Sequence, residues 1–519
     1  MFTQKQVFIF TLKVCSNNYL AVILAVIILM VILFKNKNDR RTYLAKQISG
    51  LNGLSYVGIL PLLFQGPETI LTLTLQLFRR FGKSTFKIWI LDNLYIFPTK
   101  PEDIEIILNN TMLFKKSNDY LVLKESIMSQ GIFSSEKYHK WKTNRKMVAT
   151  GFNFSIIKSF IPIFYEEAMI LGNILYKRRN FYTHECEVSK SVSMATMEMI
   201  GRTAFGVKFN AQHNSNHEFV SHFKIIQKAW AYRILHPWFL NKTLFKMSSV
   251  KQKHDKSQRI IFDFIDNLLK KKQAEMNEKK NNYDLENVND CKKTKTLIEI
   301  LLENENMKHT QIRQEAITVI IGGQDTTAFT NSCILFMLAH HQDVQDNVFE
   351  EISTIFSSGD PDRIPTYEDL QQMKYLECVI KETLRLYPPL PFMCKNVQQE
   401  FKLGNHLIPA DSTLTIFIPG IHLNPKYYDK PRSFNPDNFL PDVYRQRHPC
   451  TFIPFSAGYR NCIGVKYAMT QMKTVISTLV RFYHFSPSAR YPSSKSLRLE
   501  FLGSLKFING CYINIRFRT

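Results

Sequence analysis

Ten residues near the C-terminal end, Phe455-Ser-Ala-Gly458-Tyr-Arg460-Asn-Cys462-Ile-Gly464, constrain this chain more than any other stretch. One cysteine stands in a loop of small residues and leads into an apolar-periodic segment, Val465 to Tyr483, that predicts a helix. The positive end of the helix dipole, and Arg460 two residues back, favour a thiolate at Cys462. Gly458 and Gly464 remove side-chain bulk on both sides, so a large planar partner can approach the backbone closely. These are the requirements of a haem iron held by a cysteine thiolate. A reduced structural cysteine near a helix start is the plainer alternative.

The spacing F-x-x-G-x-R-x-C-x-G resembles the haem-ligand loop of the cytochrome P-450 superfamily. The resemblance implies that Cys462 is the axial iron ligand and that Phe455, Gly458, Arg460 and Gly464 frame the cofactor, haem b.

A chain of 519 residues is long enough for one large domain or two to three smaller ones, with ample core and no need of staples. Its nine cysteines are scattered singly, without a CxxC pair, which speaks against a disulfide framework or a zinc site. The formal net charge of +23 calls for an acidic partner or an anionic surface. No nucleic-acid motif accompanies the charge, and the basic residues are spread along the chain, so a membrane surface and an acidic protein fit better.

Tyr19 to Phe34 is an uncharged apolar run of 16 residues, followed by Lys35, Lys37, Arg40 and Arg41 with no small-residue cleavage site. It reads as a signal-anchor helix whose basic flank keeps the bulk of the chain in the cytosol. The organisation expected is an anchor over 1–34, a linker over 35–60 and one haem-thiolate domain over 61–519. In related P-450 enzymes a proline-rich hinge follows the anchor, whereas only Pro61 and Pro67 stand here.

Phe86 to Pro98 reads as a hairpin about Asp92-Asn93, and Lys100 to Asn110 as a short helix. Trp141 and Arg145 are four apart on a polar helix, where an indole N–H and a guanidinium could together hold an anionic group such as a haem propionate. An aromatic–Arg pair at that spacing is also ordinary surface packing. The surrounding residues, WKTNRKMVATGFNFSIIKSF, resemble the C-helix region of family-four P-450 proteins. MEMIGRTAFGVKFNAQ (197–212) and RILHPWF (233–239) resemble its insect members, except that Gly201 and Arg202 replace a usual Cys and Glu. The Lys- and Asn-rich run from Lys270 to Lys295 reads as a solvated connection.

Thr296 to His340 predicts a helix interrupted at Gly322-Gly323-Gln324-Asp325-Thr326-Thr327. Two glycines weaken a helix there, and the threonines can bond back to carbonyls, giving a local widening with room for a small molecule. Resemblance to the I-helix motif of the family implies that Thr326 hydrogen-bonds dioxygen and that Asp325 relays protons to it. Many family-four members carry a Glu able to ester-link to haem where Gly322 stands here, so haem without that covalent bond is expected.

Glu382 and Arg385 are three apart on a helix, a pairing nearly worthless alone. Followed by Leu386-Tyr-Pro-Pro389 it resembles the family's K-helix, which implies a buried structural ion pair. Leu403 to Ile418 reads as a hairpin about Pro409-Ala-Asp. Phe434 to Phe439 matches a family segment except that Asn438 stands where an Arg completes the triad with Glu382 and Arg385; Arg445 or Arg447 could substitute. Lys395 stands at a position often Arg, and the resemblance offers it to a propionate.

The resemblance covers nearly the whole chain after the linker. It implies a mainly α P-450 fold with small β-sheets behind one transmembrane helix, single-pass in the endoplasmic reticulum membrane with its catalytic domain facing the cytosol. The implied activity is insertion of one oxygen atom of O2 into a lipophile, such as a fatty acid, another long-chain lipid or a xenobiotic. NADPH-cytochrome P-450 reductase would supply the electrons, with cytochrome b5 as a further candidate partner and no nucleic acid. Lys142, Lys146, Lys466 and Lys473 are candidates for a basic docking face. Trp230, Tyr232, Trp238 and Phe239 could border a lipid-facing entrance or fill core. Two alternatives remain: a non-oxygenating haem-thiolate isomerase or dehydratase, against which Asp325 and Thr326 argue, and a haem-binding module impaired by the missing arginine.

Overall fold

The computed structural model describes residues 40–51, 66–90, 93–214, 216–283, 295–357, 360 and 362–518. The anchor expected at 1–34 lies outside them, and among the described residues no single helix is long and apolar enough to cross a membrane.

Among the described residues, eleven helices of nine residues or more carry the fold: α1 Pro67–Phe81, α2 Pro101–Asn109, α3 Tyr138–Thr150, α4 Ile161–Arg178, α5 Val188–Ile200, α6 Glu218–Leu235, α7 Ser249–Tyr283, α8 His309–His340, α9 Gln342–Ile355, α10 Lys374–Leu386 and α11 Val465–Phe482. Proline opens α1 and α2 at their first turns, where its missing N–H costs no helical bond. Helix α8 is buried on nearly every side from Glu315 to Ala339, as a central helix must be. It packs against α5, α11 and α10 inside the large hydrophobic core.

The strands are short and fall into four small sheets. β1 Ser49–Gly50, β2 Phe86–Ile90, β3 Asn93–Phe97, β5 Phe392–Val397 and β8 Ser412–Phe417 form a mixed sheet in the order β1-β2-β3-β8-β5. Leu94 and Ile96 of β3 and Leu414 and Ile416 of β8 alternate inward and join Ile104 and Ile107 of α2 in a second core. β4 Glu185–Glu187, β12 Tyr512–Phe517 and β9 Tyr483–Pro487 make a three-stranded antiparallel sheet. β6 Phe401–Leu403 with β7 His406–Ile408, and β10 Leu499–Phe501 with β11 Leu505–Phe507, are two-stranded ribbons.

The structure corrects four expectations. Part of the stretch read as linker is folded: Leu44, Ala45 and Ile48 are buried, and β1 pairs with β2. The polar run after Lys270 is helical to Tyr283, where Lys272 is buried against Glu299 and Glu275. Helix α8 runs unbroken through Gly322–Thr327, and the break falls earlier, between Leu302 and His309. There Thr326 Oγ1 donates to Gly322 O at 2.7 Å and Thr327 Oγ1 to Gly323 O at 2.5 Å, so the threonines bond back within an intact helix. The hairpin about Pro409 does not form, because Gly404, at φ +55°, turns β6 onto β7 while β8 pairs with β3 and β5. Of the two readings left open for Trp230, entrance or core, its 3% exposure gives core.

The departures at Gly201 and Arg202 acquire a physical account. A Cβ on Gly201 would lie 2.5 Å from the Phe209 ring. Arg202 pairs with Glu167 at 2.5 Å and Glu166 at 2.6 Å, tying the turn after α5 to α4.

Candidate functional site

Of the cysteines described, Cys462 alone presents an exposed face, although its loop crowds the sulfur on the protein side; the others are covered or partly covered. Its loop is a tight bulge with Ser456 at φ +61° and Gly458 at φ +68°. The Cys462 N–H closes it on Phe455 O at 2.9 Å. Gly458 is needed for a reason other than the expected approach of a planar partner: a Cβ there would meet Leu108 O at 2.3 Å. Gly464 does keep open space, because a Cβ there would meet only Cys462 Sγ, at 3.9 Å. Burial pushes the Cys462 thiol up from its ordinary value, while the Gly464 N–H and the charge of Arg145 act in the opposite sense. Arg145, not Arg460, is therefore the cation the sulfur feels. A metal cation at the sulfur is what would make the thiolate its stable form.

Arg460 faces away from the sulfur. Nη1 donates to Phe114 O at 3.0 Å, and Nη2 reaches Ile132 O, Phe133 O and Ser135 O, each at 3.2 Å. Its guanidinium lies 5.3 Å from the Trp141 ring centre and that of Arg145 lies 5.5 Å from it. Arg145 Nη2 also donates to Asn461 Oδ1 at 2.6 Å, beside the cysteine. Trp141, Arg145 and Arg460 thus come together beside the cysteine loop.

Two lysines extend the cluster. Lys116 and Lys395 face each other across an antiparallel bridge. Lys116 Nζ sits 3.4 Å over Phe133 and 4.2 Å over Tyr120, and Lys395 Nζ 5.5 Å over Tyr459. Burial, then the Arg460 charge, lowers Lys395 to about 8; burial, then Arg460 and Lys395, holds Lys116 well below the usual lysine range. Among the described residues no carboxylate pairs with Lys116, Lys395 or Arg460. Three basic groups held together with no carboxylate paired to them among the described residues match a group bearing more than one negative charge, as the two propionates of haem do.

The second candidate surface is on α8. From Glu315 to Ala339 every residue is buried except Gly322, Gly323 and Thr326. These stand at i, i+1 and i+4, so one face of the core helix is left open. A Cβ on Gly322 would meet nothing within 4 Å, whereas one on Gly323 would meet Ile200 Cδ1 at 2.6 Å. Asp325 lies off this face, buried against α6 and the β10–β11 ribbon through Gln227, Ser504 and Lys506.

Glu382 and Arg385 are fully buried on α10. Arg385 Nε and Nη2 reach the two carboxylate oxygens, each at 2.6 Å, and the guanidinium also donates to His422 O, Pro431 O and Ser433 O. Asn438 Nδ2 donates to Glu382 Oε1 at 3.3 Å. Arg447, one of the two substitutes considered, bonds the Asn438 carbonyl rather than Glu382 and lies 4.5 Å from the Tyr428 ring centre. His422 carries the link onward: Nδ1–H donates to Arg385 O at 3.2 Å, and Nε2 accepts from Ile453 N–H at 2.9 Å, at the start of the cysteine loop.

Sequence reasoning missed Lys116, Asn461, His422 and the partners of Asp325. Only Asn461, adjacent to Cys462, carried a local signal; the others depend on contacts between segments far apart in the chain. Of the docking lysines, Lys142, Lys146 and Lys466 are exposed, but Lys473 is buried and bonded to Leu370 O and Glu377, each at 2.8 Å.

Comparison with known proteins agrees with this geometry. A family profile described as Cytochrome P450 matches residues 49–504. Cytochrome P450 4c21 of Blattella germanica is 32% identical over 489 residues, 92% of this chain and 95% of that protein. Cytochrome P450 4d2 of Drosophila melanogaster is 30% identical over 91% of this chain and 94% of its own length. Human cytochrome P450 4V2 is 30% identical, with 83% and 82% covered.

Proposed function

The chain belongs to the cytochrome P450 family, and from that premise we propose that it hydroxylates long-chain lipophiles, fatty acids foremost, with electrons from NADPH through a membrane reductase. The overall reaction is R–H + O2 + NADPH + H+ → R–OH + NADP+ + H2O. Haem, when bound, supplies the activation of oxygen and the electron transfer. The observation that carries the reading is an exposed cysteine, the one such among those described, near three basic side chains, Lys116, Lys395 and Arg460, with which no described carboxylate pairs.

Cys462 Sγ would ligate the iron, with Phe455 and Gly464 framing the ring. Trp141, Arg145, Arg460, Lys395 and Lys116 would hold the propionates. Gly322 brings no carboxylate to the open face of α8, which supports haem held without an ester bond. Thr326 Oγ1, now bonded to Gly322 O, would turn toward oxygen on that face, and Asp325 would carry protons to it. Apolar residues of the core exclude water and so protect the substrate step from side reactions. The apolar run Tyr19–Phe34 supports a single anchor in the endoplasmic reticulum membrane with the domain on the cytosolic side.

The reading of an impaired haem-binding module rested on Asn438. It loses weight, because Asn438 still bonds Glu382 and Arg447 fills the adjoining space. The test is a reduced, carbon monoxide-treated sample followed by reconstitution with reductase, NADPH and a panel of fatty acids and xenobiotics. A thiolate-type spectrum and hydroxylated product are expected. A histidine-type spectrum overturns the ligation, and stoichiometric haem without product or NADPH use favours the module.

A further inference from the structure

The acid on α8 is tied down by three elements. Asp325 is 7% exposed, and both its oxygens are occupied. Oδ1 is ion-paired with Lys506 Nζ on β11. Oδ2 accepts from Ser504 Oγ at 2.6 Å and from Gln227 Nε2 of α6 at 3.2 Å, and Gln227 also donates to Ser504 Oγ at 3.3 Å. Ser504 and Gln227 are buried, whereas the Lys506 side chain keeps 24% of its surface exposed.

A carboxylate held this way is a poor carrier of protons. Its charge is matched by an ammonium, and its lone pairs are taken by donors that do not readily give up their protons. To accept a proton from water and pass it toward Thr326, Asp325 must lose at least the Lys506 contact. The structure supplies the alternative partner: Lys506 stands directly across the ribbon from Glu500 of β10. Side chains at such paired positions are within mutual reach, and the four-carbon stem of lysine can swing between two acceptors. Burial raises the Glu500 carboxyl, and Lys228, Lys224 and Lys506 act against that, with Glu68 adding to it. Among the described residues Glu500 makes no ion pair while Lys506 rests on Asp325.

We propose that Lys506 is a positioning residue with two stations: on Asp325 it locks the acid, and on Glu500 it releases Asp325 to carry a proton. The released carboxylate takes its proton from water, delivers it on the Thr326 side, and is recharged from water; no electrons move. The ribbon turn that carries Ser504 sets how easily Lys506 changes station, because the same turn grips the other carboxylate oxygen. The inference rests on the monooxygenase reading and names the control of its proton supply.

The experiment compares wild type with Glu500→Gln, Lys506→Met and Lys506→Arg as haem-loaded proteins with reductase, NADPH and lauric acid, in H2O and D2O. Glu500→Gln removes the release station, so turnover should fall by roughly tenfold and the solvent isotope effect should rise. Lys506→Met removes the lock, so the isotope effect should fall and hydrogen peroxide should take a larger share of the NADPH consumed. Lys506→Arg should return both quantities toward wild type. A purely structural role would move the first two variants in the same direction. Thermal unfolding of Asp325→Asn, Lys506→Met and the double variant, read without substrate, should be non-additive if the pair is made. A wild type that turns over lauric acid while the variants match it, or shift together, overturns this inference and leaves the monooxygenase reading standing. A wild type that consumes no NADPH and forms no product overturns both.

Discussion

Asn438 donates from Nδ2 to Oε1 of Glu382 at 3.3 Å, where the family pattern places an arginine. That oxygen also takes Arg385 Nη2 at 2.6 Å and the Asn435 N–H at 2.9 Å. The carboxylate is therefore satisfied without a second guanidinium, and Asn438 is the weakest of its donors. Asn438→Ala should cost only about 1 kcal/mol in urea unfolding of the haem-loaded protein. Glu382→Gln leaves Arg385 buried and unpaired, and should cost roughly 3–5 kcal/mol or abolish haem loading. Equal effects of the two changes would mean that Asn438 supports more than this one bond.

His422 links the same pair to the cysteine loop, and its protonation state is fixed by burial. The ring is held neutral, its pKa lowered from 6.5 to about 3 by burial. Protonating Nε2 would break the bond from Ile453 N–H. Above pH 6.5 the ring is neutral in both folded and unfolded chains and contributes no pH dependence. As pH falls from 6.5 toward 3 the unfolded chain binds a proton that the folded chain refuses, so stability is lost across that window, by roughly 2 kcal/mol at pH 5. His422→Asn should be less stable at pH 7.5 by about 1–2 kcal/mol. It should also lose less than wild type between pH 7.5 and pH 5, measured by urea midpoints at both.

How much of this could be read from residues alone follows from where each contact lies in the chain. Trp141 and Arg145 share a helix face, and Phe455 to Gly464 is one continuous loop, so local spacing was enough to bring them into the site. Lys473 shows the limit. Its charge suggested a docking face, but tertiary packing turns it inward to Glu377. The ribbon partner of Leu403 was misread because alternation gives the strand and not its neighbour; Gly404 in the left-handed region settles the turn. Lys116, Lys506 and His422 act through segments that only the fold brings together. No periodicity or motif in their own neighbourhoods marks them.

The two glycines of α8 should respond in opposite ways to the same change. Gly322 opens on space, so Gly322→Ala adds helix propensity without a clash and should stabilise the protein by up to about 1 kcal/mol. Gly323 faces Ile200 of α5, and Gly323→Ala should cost roughly 1–3 kcal/mol, because that contact is inside the core. Melting temperatures of the two variants against wild type decide this. A gain at both positions would mean that α5 yields more easily than its burial suggests.

The lysines near Arg460 carry the last prediction, since they should act with opposite sign in the presence and absence of haem. Lys395 is 7% exposed, and burial with the Arg460 charge lowers it from 10.5 to about 8. In the haem-free chain below pH 8 the folded protein therefore holds a proton less tightly than the unfolded one, a cost of about 3 kcal/mol. That cost fades as pH rises from 8 to 10.5, where the unfolded lysine also loses its charge. Lys395→Met should accordingly make the haem-free protein more stable at pH 7 by up to that amount, with the advantage shrinking toward pH 10.5. With haem bound, a propionate would neutralise the cluster and the lysine would become an asset. The same variant should then lose haem faster to an acceptor protein, and Lys116→Met should do so as well. Faster haem loss together with a more stable haem-free chain would assign both lysines to the anionic edge of the cofactor. Loss of stability in both forms would assign them to packing against Tyr459, Tyr120 and Phe133 instead.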